Sequence, residues 1–366
     1  MMLPGIEGRS DPSRQATGAR ITVALLSPPS VQDDQDWRDF ADRHGIATMY
    51  ASRRFVYALA DGLRQVPYRI EARCCSGRLV GALPLIHMKS ALFGAHLVSL
   101  PYVSWGGAVA DTPAIGRQLV DEAIELAERL DVDFLELRQL VPLNHDRLVE
   151  GATVKTQMRV PLHDREQVWS RLKSEVRTQI RKAQKSALAM RWGGDTLLDD
   201  FYDIFAHNMR DLGTPVFPRR MFVNLLAGLD EAAEIGVVDL QGKPVAACLV
   251  VHGPEESEIP SAASLRAYRS TAANSLMYWN AIERALDRGQ RVIDFGRSTP
   301  EAPTYVFKRK WGADPFRIPW LYHVRRGTSE SLRPDVNRFR LARRAWQHLP
   351  VPVTRIIGPM IVRGIP

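Results

Sequence analysis

The 366-residue chain has only three cysteines, Cys74, Cys75 and Cys248, too few for a disulfide framework. Cys74 and Cys75 are neighbours in a strand-like run, which points their side chains to opposite faces. No Cys/His cluster has zinc spacing and the nine histidines are scattered, so no metal site is expected. No apolar run reaches the roughly 18–20 residues that cross a bilayer. The opening MMLPGIEGRSDPSRQATGAR has no apolar core of a secretory signal. Residues 1–20 are expected to be a flexible lead and the protein cytoplasmic. Gly-x-Ser-x-Gly is absent, and Cys248 sits in an apolar strand where a thiolate is costly. No residue stands out as a covalent nucleophile.

What is present is a globular composition: 45% hydrophobic residues and eight tryptophans, in a chain long enough for two ordinary domains. The formal charge of +8 suits a phosphate, nucleic acid or anionic membrane partner, or solubility alone.

The chain repeats itself at an offset of about 160 residues. YRIEARCCSGRLVGALPLIHM (68–88) and EIGVVDLQGKPVAACLVVHG (234–253) each read as a β-hairpin. Each is followed by an amphipathic helix, TPAIGRQLVDEAIELAERL or NSLMYWNAIERALDRG, and a buried-type strand closing on Arg138 or Arg297. Two helices precede each hairpin: DDQDWRDFADRHG and ASRRFVYALADGLRQ, then TLLDDFYDIFAHNMRDLG and PRRMFVNLLAGLDE. This order predicts an α/β (α+β) fold of two domains, each a mixed, mostly antiparallel sheet flanked by helices. The expected division is a lead at 1–20, domains at 21–160 and 161–327, and a basic amphipathic tail at 328–366.

Residues 164–190 read as one helix with Val168, Leu172, Val176, Ile180, Ala183 and Ala187 on one stripe. Arg177 and Arg181 lie a turn apart on its basic side, where they fork onto phosphate oxygens or simply face solvent. The tail holds a short basic helix with Phe339, Leu341 and Trp346, then Pro-punctuated apolar pieces; it lies on an anionic interface or packs on the protein.

RTQIRKAQKSAL (177–188), NMRDLGTPVFPRRMF (208–222), SLRAYRSTAANSLMYWNAIERA (264–285) and DFGRSTPEAPTYVFKRKWGA (294–313) resemble the FemAB-like branch of the GNAT acyltransferase superfamily. SALFGAHLVSLPYVSWGGAVAD (90–111) and the run before it do so too, and the similarity is greatest to FemAB-like proteins of exosortase (PEP-CTERM) and exopolysaccharide systems. The resemblance spans roughly residues 21–325 and implies two tandem GNAT-like domains. It implies acyl- or aminoacyl-transfer, direct between bound substrates rather than through an acyl-enzyme, to an amine or hydroxyl of a cell-envelope or exopolysaccharide precursor, with acyl-CoA or aminoacyl-tRNA as donor substrate and no tightly bound cofactor. Two departures stand out. The family's tRNA-holding arm has two helices where one is expected here, and no Arg/Gln-x-x-Gly-x-Gly/Ala signature precedes Asn274.

The resemblance also gives Lys308, in Tyr305-x-Phe-Lys308, the role of stabilising charge near the reacting groups. The residues themselves offer Gly296, Arg297 and Ser298 as a strand exit open to close approach and rich in donors. Arg266 and Tyr268 are expected on one strand face, as substrate contacts or solvent-facing groups. Asp211 is a base or a helix C-terminal residue, and Trp105 belongs to a loop over the cleft or a structural turn. The expected partners are thus a phosphate-bearing donor and an envelope precursor, with tRNA and an inner-membrane contact through the tail as further partners. Alternative readings are an acyl-CoA N-acyltransferase and a non-catalytic scaffold that binds anionic precursor.

Overall fold

A computed structural model describes residues 20–26, 31–45, 50–151, 155–327 and 340–365. The first half runs β1 (Arg20–Leu25), α1 (Val31–His44), α2 (Arg53–Leu63), β2 (Val66–Arg73), β3 (Leu79–Ser90), β4 (Gly94–Val98), β5 (Val109–Ala110), α3 (Pro113–Arg129), β6 (Phe134–Arg138) and β7 (Val149–Glu150). Then come β8 (Thr156–Pro161), α4 (Arg165–Arg171), α5 (Ser174–Gln184), β9 (Leu188–Gly193), α6 (Leu198–Leu212), α7 (Arg219–Leu229), β10 (Ala233–Leu240) and β11 (Lys243–His252). The chain continues through β12 (Glu256–Ser264), α8 (Ala273–Asp287), β13 (Val292–Ser298), α9 (Pro303–Lys310), β14 (Asp314–Arg317) and β15 (Trp320–Val324). Two helices, α10 (Arg340–Gln347) and α11 (Val351–Val362), follow.

Local signals set many of these elements. Ser52 caps α2 by accepting from Phe55 N at 3.2 Å, and Thr112 caps α3 with Pro113 in its first turn. The predicted duplication is present: α3 and α8 begin 160 residues apart, at Pro113 and Ala273. The sheets have the order β1-β2-β3-β4-β6-β15-β7, with β5 on β3, and β9-β10-β11-β12-β13-β8-β14. They are the same sheet twice, mixed because β4–β6 and β12–β13 are parallel. One position is exchanged. β8 leaves the first half to pair with β13, and β15 leaves the second to pair with β6. The expected division at 160/161 falls inside β8, and each sheet needs a strand from the other half.

The halves also share a core. Phe55 and Leu59 of α2 pack in one cluster with Phe201, Phe205, Phe222 and Leu249. The repeat-related helices α2 and α7 cross at their glycines: a Cβ on Gly62 would lie 2.5 Å from Met221 Cα, and one on Gly228 3.1 Å from Ala58 Cβ. Asp61 accepts from Asn224 and Arg220, both at 2.6 Å, beside that crossing.

The single helix expected at 164–190 is instead two helices and a strand. α4 stops at Arg171 because Leu172 and Lys173 are extended, and Lys173 N donates to Lys310 O at 3.0 Å. Val168, Leu172, Val176, Ile180 and Ala183 are buried as expected; Ala187 is exposed, at the turn into β9. Arg266–Thr271 is a 3-10 turn rather than strand, since β12 pairing ends at Ser264 and Leu265 N closes onto Val245 O. The apolar pieces after Pro350 form one helix, α11, despite Pro359. β1 escaped the sequence reading. Phe339 and residues 1–19 lie outside the described residues.

Gly62→Ala tests the helix crossing by the sign of its effect. Alanine gains ~1 kcal/mol of helix propensity, yet its Cβ cannot fit without parting α2 from α7. Urea unfolding is expected to show a net loss of ~1–3 kcal/mol; a gain would mean the two helices are loosely packed.

Candidate active site at the strand fork

β12 and β13 run side by side for three residues and then part. Their last register pair is Glu258 with Asp294; beyond it β12 stays on β11 and β13 follows β8. Both strands bulge there. Two β12 residues, Ile259 and Pro260, lie between its pairs at Glu258 and Ser261, while β11 has only Val250 between Leu249 and Val251. Proline lacks the N–H that a regular ladder would use. On β13 the register slips between Asp294 and Arg297, where Gly296 takes φ 76°. Bulges of this kind re-aim side chains.

The fork is charged and dry: Glu258 is 2%, Asp294 0% and Lys308 8% exposed. Glu258 is held by two residues of the first half. Tyr50 OH donates to Oε2, and Ser104 Oγ donates to Oε1 at 2.7 Å. Asp294 Oδ1 accepts from Gly296 N at 2.6 Å, while Oδ2 has no hydrogen-bond partner. From α9, Lys308 Nζ donates to Gly296 O and Arg297 O, both at 3.0 Å, leaving one N–H over. Arg159 of β8, the register partner of Asp294, is ion-paired to Glu256.

Burial governs the titration here. It pushes the Glu258 carboxyl up to about 7, with the adjacent Asp294 charge adding to the effect. Asp294 is raised by burial, against the pull of Arg159. Lys308 is lowered to about 8 by burial, with Asp294 and Glu258 opposing. Glu258 thus takes up a proton near neutrality, with Asp294 shifted in the same direction and the Lys308 ammonium in the opposite one.

A second charged layer adjoins it. The repeat-related Arg138 and Arg297 both lie over the Trp320 ring, with guanidinium carbons 4.1 and 4.6 Å from its centroid. Arg138 donates to Glu136 at 2.7 Å, and Tyr322 OH to the other Glu136 oxygen at 2.9 Å. Arg297 is lowered to about 9, by burial and then by Arg138. Lys155 is lowered by burial and by both arginines.

Among the residues singled out from sequence, Lys308, Arg297 and Ser298 meet at the fork, the last buried with Oγ unpartnered. Trp105 is buried against Tyr50 at 5.4 Å between ring centroids, in a core turn next to Ser104. Tyr305 is half-buried on the second-half core. Arg177 does not fork outward: its Nη1 donates to the carbonyls of Trp169, Ser170 and Leu172, closing the end of α4. Arg181 lies over Trp169 at 5.4 Å. Asp211 pairs with Arg210 at 2.7 Å and with Arg266 at 3.7 Å. Tyr268 lies under Lys243 and lines a pocket of about 220 Å³ with Arg269, Ala273 and Asn274 at the start of α8.

Tyr50, Glu258 and Asp294 escaped the sequence reading. Asp294 opens the DFGR stretch that drew attention to Arg297. Glu258 left a fainter mark, an acid that shares its strand with Glu256 ahead of a run of small and apolar residues.

Residues 170–309 match the family model described as an acetyltransferase (GNAT) domain. The fold is the tandem GNAT fold. The chain superposes on FemX with a TM-score of 0.62 at 14% identity, covering 88% of this chain and 100% of that one. A tandem GNAT protein from the clavulanic acid biosynthesis pathway gives a TM-score of 0.52 at 14% identity, covering 84% and 100%. The L-PGS structure from Bacillus licheniformis gives 0.50 at 12%, covering 91% and 98%. No protein in the curated comparison matches the sequence. The resemblance to the FemAB-like branch thus holds at the level of fold, and the sequence match to the acetyltransferase (GNAT) domain model lies in the second half of the chain.

Glu258 makes stability depend on pH. Its folded-state value of about 7 exceeds its ordinary 4.5, so the stability it contributes is complete below 4.5 and is lost as pH rises through about 7. Denaturation at a series of pH values is expected to show a flatter profile over that window in Glu258→Gln than in the wild type. An unchanged slope would mean Glu258 is not raised.

Proposed function

We propose that the protein is an acyl- or aminoacyltransferase that works by direct transfer at the β12–β13 fork. One observation carries this reading: Glu258 and Asp294, both raised by burial, stand together at the fork with the Lys308 ammonium turned onto it. An amine or hydroxyl acceptor must lose a proton as it attacks an ester or thioester carbonyl, and the carbonyl oxygen gains negative charge. In this reading the carboxylate pair takes that proton through Asp294 Oδ2. The remaining Lys308 N–H faces the developing oxyanion. The new C–N or C–O bond forms as the bond to the donor's leaving group breaks, and that group leaves with the electron pair. Tyr50 and Ser104 hold Glu258 in place from the other half.

The pocket beside Arg269, Asn274 and the start of α8 gives room and positive potential for a phosphate-bearing donor arm. That supports acyl-CoA or another phosphorylated donor. Helices α4 and α5, where the resemblance implies a two-helix arm, are only 7 and 11 residues long and bury Val168, Val176, Ile180 and Ala183 in the second-half core, which weakens the case for tRNA. We place the acceptor among envelope or exopolysaccharide precursors on the strength of the family resemblance, including its PEP-CTERM branch.

Purified protein with acyl-CoA, aminoacyl-tRNA and nucleotide-sugar substrates side by side identifies the donor by transfer. Asp294→Asn and Lys308→Met are each expected to cut kcat by ~10²–10⁴-fold. The pH profile of kcat/KM should rise through about 7 as Glu258 ionises and fall above about 8 as Lys308 discharges. Unchanged transfer in both variants would overturn this assignment of the site. An anionic precursor bound equally by the wild type and both variants, with no transfer by any, would favour a scaffold.

A further inference from the structure

The C-terminal helices turn an apolar face outward. α11 buries Val351, Thr354, Gly358 and Val362 at helical spacing, with Gly358 against the Val216 backbone. Its other side is apolar as well: Val353, Ile356, Ile357 and Met360 are exposed, Ile356 by 72% and Met360 by 64%. A helix that only closed a core would carry polar residues there. α10 is held to the protein through Arg343, donating to Leu212 O at 3.3 Å, and Gln347, donating to Asp211 O at 3.0 Å. Away from those contacts Leu341 is 74% exposed, with exposed Arg340 and Arg344 beside it. At the far end of α11, Gly364 packs against Ser90 and Phe93, in the β3–β4 turn whose Leu92 is also 74% exposed.

We propose that α10 and the outward side of α11 form a docking surface for an anionic lipid bilayer. Charge complementarity decides the occupant. Residues 340–365 contain five arginines and no aspartate or glutamate. Apolar side chains with a cationic border match the boundary between acyl chains and anionic headgroups. A second copy seated on the same face would set Arg340 and Arg344 against their own equivalents. Among the described residues no helix is long and apolar enough to cross a membrane, so this contact lies along the surface. It stands on its own observations, apart from the transfer proposed above.

Flotation of the full chain with vesicles tests it. The protein should bind phosphatidylglycerol–phosphatidylcholine vesicles at low salt, bind pure phosphatidylcholine far less, and be released as salt rises. Arg340→Glu with Arg344→Glu should weaken binding by about thirtyfold or more, at ~1 kcal/mol per removed cation. Ile356→Asp with Met360→Asp should abolish binding and leave the melting temperature and soluble-substrate transfer unchanged, since these side chains already face water. Absent binding to the anionic vesicles, or equal binding by the Ile356/Met360 variant, overturns the proposal. So does a concentration-dependent dimer in sedimentation with vesicles left unbound, which would give the face to a second copy.

Discussion

The reciprocal exchange of β8 and β15 is the constraint on which the rest of the structure depends. An edge left at β6 or β13 would expose unpaired backbone donors and acceptors. Each half covers that edge with the other's strand, antiparallel in both sheets. Neither half then has a complete sheet alone, and the sheets are fixed relative to one another where the chain crosses between them. Trp320 arrives at this crossing on β15, with arginines from the equivalent ends of β6 and β13 both over its ring. The repeat visible in the sequence therefore becomes a physical pairing, with Arg138 and Arg297 meeting at one indole.

The exchange also explains how so much charge is kept out of water. A lone buried carboxylate or ammonium costs several kcal/mol unless paired or neutralised. Here each has a partner that another part of the chain supplies: Glu136 with Arg138 and Tyr322, Glu256 with Arg159, Glu258 with Tyr50 and Ser104. Some of what remains unbalanced lies at the fork. Asp294 Oδ2, Arg297 Nη1 and Ser298 Oγ are buried without hydrogen-bond partners. Groups left in that condition at a strand divergence, with raised carboxyls beside a lowered lysine, are the features expected of a site prepared for substrate.

Much of the fold was legible because it is local. The 3.6-residue pattern gave α3 and α8, and the apolar strands with their Gly-Arg or Gly-Lys turns gave both hairpins. The 160-residue offset gave the tandem plan. The exchange was not legible, because nothing in TQMRVP or WLYHV says which sheet it joins. The break at Leu172–Lys173 depends on the carbonyl of Lys310, far along the chain, and the occupation of Arg177 depends on that break. The candidate site was half visible. Lys308, Arg297 and Ser298 stood out by composition and resemblance. Glu258 did not, because its meaning comes from a bulge at Pro260 and from a tyrosine 208 positions away.

The central claim is that the fork holds two carboxyls raised together by burial. Carbon-13 NMR of protein labelled at the aspartate and glutamate carboxyl carbons measures this directly. The account predicts a Glu258 signal titrating at about 7 and an Asp294 signal raised above its ordinary range, with loss or shift of these signals in Glu258→Gln and Asp294→Asn. Finding every carboxyl in the protein titrating at ordinary values of about 4 would contradict it.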